Sequence, residues 1–401
     1  MEKSSESAQT LSQSLIRKHC FGSIRLGLLT PEAHVSSTLP VMSRVDEWAA
    51  ILMRYIRAKI EKEGETINLG EVMAYFQVDL VSSVELGKAW GNLSQNTDTF
   101  GFLRMGETVV PAVQSISYLP TARAIYTSQW FMKLFGPKKT DTSGLGLFQG
   151  VLEKEVEHRF NNKEKPDEAR DILSEWMKTD LSAEECQLDL SLLMPAGTET
   201  SIMTIRGTLL LLMSSPAIYR KLKQEIKDGI ASGIISSPVS NEEAKSLEYM
   251  QAVLRESMRL MAPINFGFPK RVPASGDTIC GKYLPPGTDV YANIFRMMHS
   301  KEVFGTDADL FRPERFLESE LDVKQMVKVV DLVFGGGRFV CLGKALAMIE
   351  LNKIFIEANS KCVLTLFPQL LRNFDFQIAM PEKPWERIGY DYGMRITAAT
   401  V

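Results

Sequence analysis

FGGGRFVCLG, residues Phe334 to Gly343, sets one cysteine, Cys341, behind a run of three glycines, Gly335, Gly336 and Gly337, and opens the apolar-periodic segment LGKALAMIELNKIFIE. A cysteine at the entry of a helix, where backbone N–H groups and the positive end of the dipole converge, is favoured as thiolate over thiol. Such a sulfur ligates metals. Glycines, lacking Cβ, let backbone lie close against a flat group and turn N–H groups toward the sulfur, which tunes a thiolate-ligated haem iron. The same stretch also reads as a Gly-rich turn with one small core cysteine. From these ten residues both readings stay open. Other uses of clustered glycine fit less well: a dinucleotide fingerprint needs a third glycine where Val340 stands, and a phosphate loop needs Gly-Lys-Ser/Thr. No Cys-x-x-Cys and no His/Cys cluster lies nearby, which argues against zinc.

Working outward, the whole chain is an ordinary globular composition of 401 residues, 45% hydrophobic and 24% charged, with a net charge of -3. The length suits one large domain or two small ones. Near-neutral charge leaves no electrostatic footprint for nucleic acid. The odd number of widely spaced cysteines (Cys20, Cys186, Cys280, Cys341, Cys362) argues against a disulfide framework and fits a reducing compartment. No run approaches the ~18 apolar residues of a membrane span. The N-terminal MEKSSESAQTLSQS is polar and matches neither a signal peptide nor an anchor.

Upstream of the glycines, three further stretches carry information. DLSLLMPAGTETSIMTIRGTLLLLM is apolar around a small polar island, Ala196-Gly197-Thr198-Glu199-Thr200. Burying a carboxylate and hydroxyls inside a helix costs several kcal/mol unless they have partners or a task; a Ser/Thr-decorated helix end is the plainer reading. Pro195 in this stretch removes the N–H that would reach Ser191, at about 3 kcal/mol in a regular helix, and predicts a kink. In NEEAKSLEYMQAVLRESMRL, Glu256 and Arg259 share one helix face, and their apolar neighbours predict a buried pair. FRPERF supplies Pro313, Glu314, Arg315 and Phe316. The first 140 residues read as helices, among them VDEWAAILMRYIRAKIEKE and VMAYFQVDLVSSVELG, and Phe268 to His299 reads as short strands with Gly-Asp and Pro-Pro-Gly turns.

Taken together, FGGGRFVCLGKALA, the Ala-Gly-x-x-Thr island, Glu-x-x-Arg and Pro-Glu-Arg-Phe, in this order along the chain, resemble the cytochrome P450 family, and the variant Gly-Arg-x-x-Cys-x-Gly resembles its fungal, pisatin-demethylase-like members. Phe334, Gly337, Cys341 and Gly343 stand at matching positions. The basic residue usually found two before the cysteine is here Phe339, with Arg338 one earlier. The resemblance covers nearly the whole chain from about residue 15 and is strongest over 170–356. It implies a mainly α fold with a small β part, a single domain over 1–401 that lacks the membrane helix and first strands with which eukaryotic members begin. Family members sit on the endoplasmic-reticulum membrane, and this chain supplies no matching anchor. ANSKCVLTLFPQ, residues 358–369, reads as an insertion of the kind an unspliced intron leaves.

The resemblance also implies roles. Cys341 would be the axial ligand of haem b, with Arg338, Arg17 and Lys270 or Arg271 toward the haem propionates, and Phe334, Gly337, Gly343, Ala196 and Gly197 lining the group. Thr200 would donate a proton through its hydroxyl, with Glu199 feeding the relay. Glu256, Arg259 and Arg315 would form a lock that fixes the haem-binding loop to the core. Leu193, Met194 and Ile264 to Phe268 would line an apolar substrate pocket. Electrons would come from NADPH through a separate cytochrome P450 reductase, docked at basic residues such as Lys344 and Lys353. The implied activity is monooxygenation of a hydrophobic small molecule in fungal secondary metabolism; the alternative is an inactive or haem-deficient relative.

Overall fold

The computed structural model describes residues 31–63, 66–162, 171–236, 239–265, 267–318, 320–337, 340–356, 374–378, 386–388, 391–393 and 395–400. In chain order the first elements are α1 (Pro31–Glu63), β1 (Thr66–Asn68), α2 (Leu69–Leu86), α3 (Asn92–Gln95), α4 (Phe102–Tyr118), α5 (Pro120–Tyr126), α6 (Gln129–Phe135), α7 (Gly144–Asn161) and α8 (Ile172–Met177). There follow α9 (Ala183–Met213), α10 (Pro216–Ala231), α11 (Asn241–Ser246), α12 (Glu248–Leu260), β2 (Lys270–Arg271), β3 (Asp277–Ile279), β4 (Lys282–Leu284) and β5 (Asp289–Val290). The last part holds α13 (Ile294–Met298), α14 (Lys301–Phe304), a 3-10 turn Pro313–Leu317, α15 (Glu320–Val330), a 3-10 turn Asp331–Phe334, α16 (Lys344–Ile356), β6 (Phe374–Ile378), β7 (Glu386–Ile388), β8 (Asp391–Gly393) and β9 (Arg395–Thr400). The architecture is mainly helical with a small β part. Among the described residues no single helix is long and apolar enough to cross a membrane. Arg17 and the 358–369 segment lie outside the described residues.

The chain gathers into two compact units. The first takes in the chain as far as Tyr55, Ala74–Gly106 and Pro137–Thr198. Its aromatic centre sets Trp90 edge-on to Phe100, Phe102 and Phe148, with centroids 5.0, 5.7 and 6.2 Å apart. The Asp79 carboxylate accepts the backbone N–H groups of Gly91, Asn92 and Leu93 at 2.7, 2.9 and 2.8 Å, satisfying donors that the start of α3 would otherwise leave unpaired. Arg159 donates to Asp171 at 2.9 Å and to the Leu86 carbonyl at 3.1 Å, and Asp171 in turn caps α8 at the Ser174 N–H. Glu85 is almost wholly buried near the end of α2, and burial holds its carboxyl well above the usual range.

The second unit takes in Ile56–Met73, Glu107–Gly136 and Glu199–Val401. Its largest sheet runs in the order β1-β9-β6, antiparallel throughout, with Ile67 opposite Ile396 and Ile378 also opposite Ile396. The stretch from Phe268 to His299 forms the expected short strands, β2 paired with β5 and β3 with β4. The helix expected over NEEAKSLEYMQAVLRESMRL is two. Ser240 and Glu243 close a capping box on α11, the chain leaves helical geometry at Leu247, and the Glu225 carboxylate accepts the N–H groups of Tyr249 and Met250 at 2.7 and 2.9 Å to start α12.

The expected buried pair is present, and it is larger than a pair. Arg259 donates through Nε and Nη2 to both oxygens of Glu256 at 2.7 and 2.8 Å, and Arg315 Nε reaches Glu256 Oε1 at 3.0 Å. All three side chains are at most 1% exposed. The remaining guanidinium donors go mostly to backbone: Arg259 to the carbonyls of Met298 (2.7 Å), Ala308 (2.6 Å) and Leu310 (3.2 Å), Arg315 to those of Phe304, Asp307 (3.0 Å) and Leu310 (3.3 Å), with Arg315 also paired to the Asp307 carboxylate at 3.2 Å. Two arginines thus gather the carbonyls that end α13 and α14 and those of the irregular stretch up to Leu310. Beside them Met258, Phe304, Phe316, Met326 and Val330 form an apolar core, against which Leu332, Val333, Phe334 and Met348 pack.

Removing one partner of this group leaves buried charge behind, so Glu256→Ala or Arg315→Ala is expected to lower unfolding free energy by about 3–5 kcal/mol in urea titrations. For Glu85 the sign follows from its raised carboxyl: the unfolded chain ionises first, so stability falls as pH rises from the unfolded value toward the folded one, by at most about 1.4 kcal/mol per pH unit. Glu85→Gln is expected to be more stable than the parent at pH 8, with the difference closing near pH 4.

Candidate active site

The glycine stretch closes on itself before α16 begins. Gly335 and Gly337 hold φ of 77° and 57°, the left-handed region that side chains with a Cβ resist. Gly335 N–H donates to the Leu332 carbonyl at 2.9 Å, and Cys341 N–H returns to the Phe334 carbonyl at 2.6 Å. Cys341 therefore stands just ahead of the first turn of α16, which starts at Lys344, rather than within it. The loop is anchored at its base by Phe334 in the apolar core, while Lys344 pairs with Asp331 at 2.9 Å and lies 5.2 Å over the Phe334 ring.

The outer side of this loop fits a flat apolar group carrying a metal. Cys341 is a free, exposed thiol, flanked by Val340 and Leu342, themselves 45% and 42% exposed. A Cβ at Gly337 would meet nothing within 4 Å. A soft sulfur donor is the ligand of a thiolate-held haem, and two exposed apolar neighbours with bare backbone in the same turn suit a flat apolar group. Arg338 lies outside the described residues, as does Arg17. Lys270 is exposed on β2, and its neighbour Arg271 is committed to Asp289 at 2.9 Å.

Helix α9 carries the other half of the expected constellation and stays helical through Pro195. Met194, Thr198, Ile202 and Ile205 are buried, whereas Leu188 and Leu192 are 53% and 60% exposed and Ala196 follows them one turn on. The exposed residues fall four apart, a single apolar stripe along one helix face. Met194 is thus a core residue and not a pocket residue, because it lies off that stripe. Glu199 and Thr200 are half-buried. The side of Gly197 that lacks a Cβ faces Val81 of α2, whose methyls would be 3.8 and 3.9 Å away. At Gly267, in the expected pocket segment, a Cβ would lie 2.3 Å from the Ala292 carbonyl oxygen, so glycine is required there.

One hydrogen bond joins the two motif stretches. Ser201, next to Thr200, donates to Glu350 Oε2 at 3.1 Å across 149 residues, and both side chains are buried. Glu350 lies on α16, so the helix bearing Thr200 is held to the helix that leaves Cys341. Neither residue stands out from the pattern alone, although a carboxylate in the apolar run KALAMIELNKIFI is the same signal that singles out Glu199. Lys353, expected to face a reductase, is instead 2% exposed and donates to the Val239 carbonyl at 2.9 Å. The reason is that α16 is buried throughout Ile349–Phe355, which leaves no outward face at that position.

Comparison with known proteins shows the family. The family model for cytochrome P450 matches residues 27–388. The chain is 35% identical over 338 residues to the cytochrome P450 monooxygenase aba1 of Botryotinia fuckeliana (strain B05.10), covering 84% of this chain and 64% of that protein. It is 34% identical over 352 residues to the cytochrome P450 monooxygenase abl1 of Leptosphaeria maculans (87% and 60%), and 26% identical over 351 residues to a pisatin demethylase of Fusarium vanettenii (85% and 63%). The chain spans less than two thirds of the length of each of these relatives. A family match across most of the chain, a helical fold with a small β part and a free thiol at the glycine turn lead to one conclusion: the chain belongs to the cytochrome P450 family.

Proposed function

We propose that this protein is a haem-thiolate monooxygenase that oxidises a hydrophobic small molecule in fungal secondary metabolism. The observation that carries the reading is the Ser201–Glu350 hydrogen bond, which sets the Thr200 helix against the helix leaving Cys341. Haem b on a thiolate supplies the oxygen activation, the thiolate favouring O–O cleavage. One oxygen atom enters a substrate C–H bond and the other leaves as water, with two electrons from NADPH by way of a separate reductase and two protons from solvent.

The protein's own residues have distinct tasks in that scheme. Cys341 would hold the haem iron through its sulfur, and Arg338, Arg17 and Lys270 would hold the propionates. Leu188, Leu192 and Ala196 form an apolar wall that excludes water and favours a hydrophobic substrate. Glu199 and Thr200, half-buried at the end of that wall, move protons: the carboxylate exchanges with solvent and the hydroxyl passes the proton inward. Lys344, partly exposed beside the loop, takes over the reductase-facing role that burial denies to Lys353. The family match along most of the chain, with relatives named as monooxygenases, supports the active reading over the inactive-relative alternative.

A carbon monoxide difference spectrum of the reduced protein is expected to show the far-red-shifted band of cysteinate-ligated haem, and Cys341→Ser to abolish it; a band that survives the substitution would overturn the assignment. Thr200→Ala is expected to keep the band and oxygen uptake while product formation drops on the order of 10²-fold, with hydrogen peroxide making up the difference.

A further inference from the structure

Helix α2 is buried along nearly its whole length, and Gln77 sits in its middle at 0% exposure. A primary amide in such a place is costly unless its groups are bonded. Its Nε2 donates to the Gly197 carbonyl at 3.4 Å, a long bond, and its Oε1 has no protein partner. The next residue of α9, Thr198, is also at 0% exposure, with its hydroxyl lacking a protein partner. This is a departure within the same helix, since Ser191 and Thr204 both return their hydroxyls to the carbonyl one turn back, at 2.8 Å each. Val81, one turn on from Gln77, covers the bare side of Gly197.

Three features therefore fall in one turn of α9. Pro195 offers no N–H to the Ser191 carbonyl. The Gly197 carbonyl has a lateral donor in addition to its place in the helical ladder. Thr198 holds a hydroxyl in reserve. The residue that donates to the Gly197 carbonyl and the residue that follows Gly197 each carry a buried polar atom without a protein partner, the kind of group that buried water satisfies with two to four bonds to protein. A group inserted at the ladder is also a recognised cause of local helix distortion.

We infer that Gln77 and Thr198 hold one ordered water at the Gly197 carbonyl, and that this polar knot sets the tilt of the helical turn leading into Glu199 and Thr200. Gln77 is then a positioning residue for the proton relay, acting from a different helix and without touching the reacting atoms. The functional half of this inference rests on the monooxygenase reading; the structural half does not.

The test compares the parent with Gln77→Met, Thr198→Val, the double variant and Thr198→Ser, all as purified full chain. Amide hydrogen exchange over residues 196–204 is expected to be about three- to tenfold faster in Gln77→Met and Thr198→Val, with the lock helix α12 unchanged. The share of consumed oxygen that appears as hydrogen peroxide is expected to rise in the same two variants and to return to the parent value in Thr198→Ser. One shared water predicts that the double variant is no worse than either single one. Unchanged exchange in this segment, or additive effects in the double variant, would sink the knot. Faster exchange with an unmoved peroxide share, in proteins that keep the carbon monoxide band, would sink the positioning role. Failure of the parent to show that band would overturn the monooxygenase reading instead, while the exchange measurement still decides on the knot. Should Gln77→Met fail to fold, the near-isosteric Thr198→Val and its serine rescue decide in its place.

Discussion

Two buried guanidinium groups around the Glu256 carboxylate, one of them paired with Asp307 as well, govern the local arrangement of the second unit. Glu256 alone would be a costly buried charge, and Arg259 and Arg315 doubly so. Together they are sustained because almost every remaining donor finds a backbone carbonyl in the segment between Met298 and Leu310. Apart from the single turn of α14 that segment is irregular, so the carbonyls that end α13 and α14 and those beyond them have few helical partners, and the arginines supply donors. The group takes part in the same local packing as Phe316 and Met258, and through that core it reaches Phe334 at the base of the glycine turn. The exposed Cys341 thiol thereby follows a turn whose base is packed against that core.

The other constraint is the conflict within α9. A long helix that is mostly core carries a proline, a glycine, a carboxylate and several hydroxyls within one and a half turns. Each is individually unfavourable in a helix interior. Their partners come from elsewhere: Glu350 for Ser201, Gln77 for the Gly197 carbonyl, the helix's own carbonyls for Ser191 and Thr204. Local rules broken at one place and compensated from distant residues are the usual mark of a site whose chemistry outweighs its stability. The exposed apolar stripe on the same helix points to the same reading, since Leu188 and Leu192 gain nothing from facing water.

Much of this was legible from residue order. The glycine turn with Cys341, the polar island at Ala196 to Thr200 and the pairing of Glu256 with Arg259 and Arg315 all depend on residue types that few environments tolerate, so type and spacing alone reveal them. The short strands after Phe268 are announced by their Gly-Asp and Pro-Pro-Gly turns. Less visible were the break at Leu247, where the apolar period runs on and the Ser240–Glu243 capping box was the available signal, and strand β1, three residues that pair with β9 more than 320 positions later. Lys353 and Met194 were misread for the same reason: periodicity gives the face of a helix, and not which neighbour covers it.

The sequence by itself determined the family, the mainly helical class, the cysteine behind the glycines and the buried charged group, because these are written in rare residues at fixed spacings. Tertiary structure alone decided that Lys353 is sealed beneath the Val239 carbonyl, that Ser201 and Glu350 meet, and that Gln77 reaches Gly197. Those outcomes rest on which helix packs against which, a matter of non-local burial to which a single amide, hydroxyl or ammonium in an apolar run gives no address until its partner arrives.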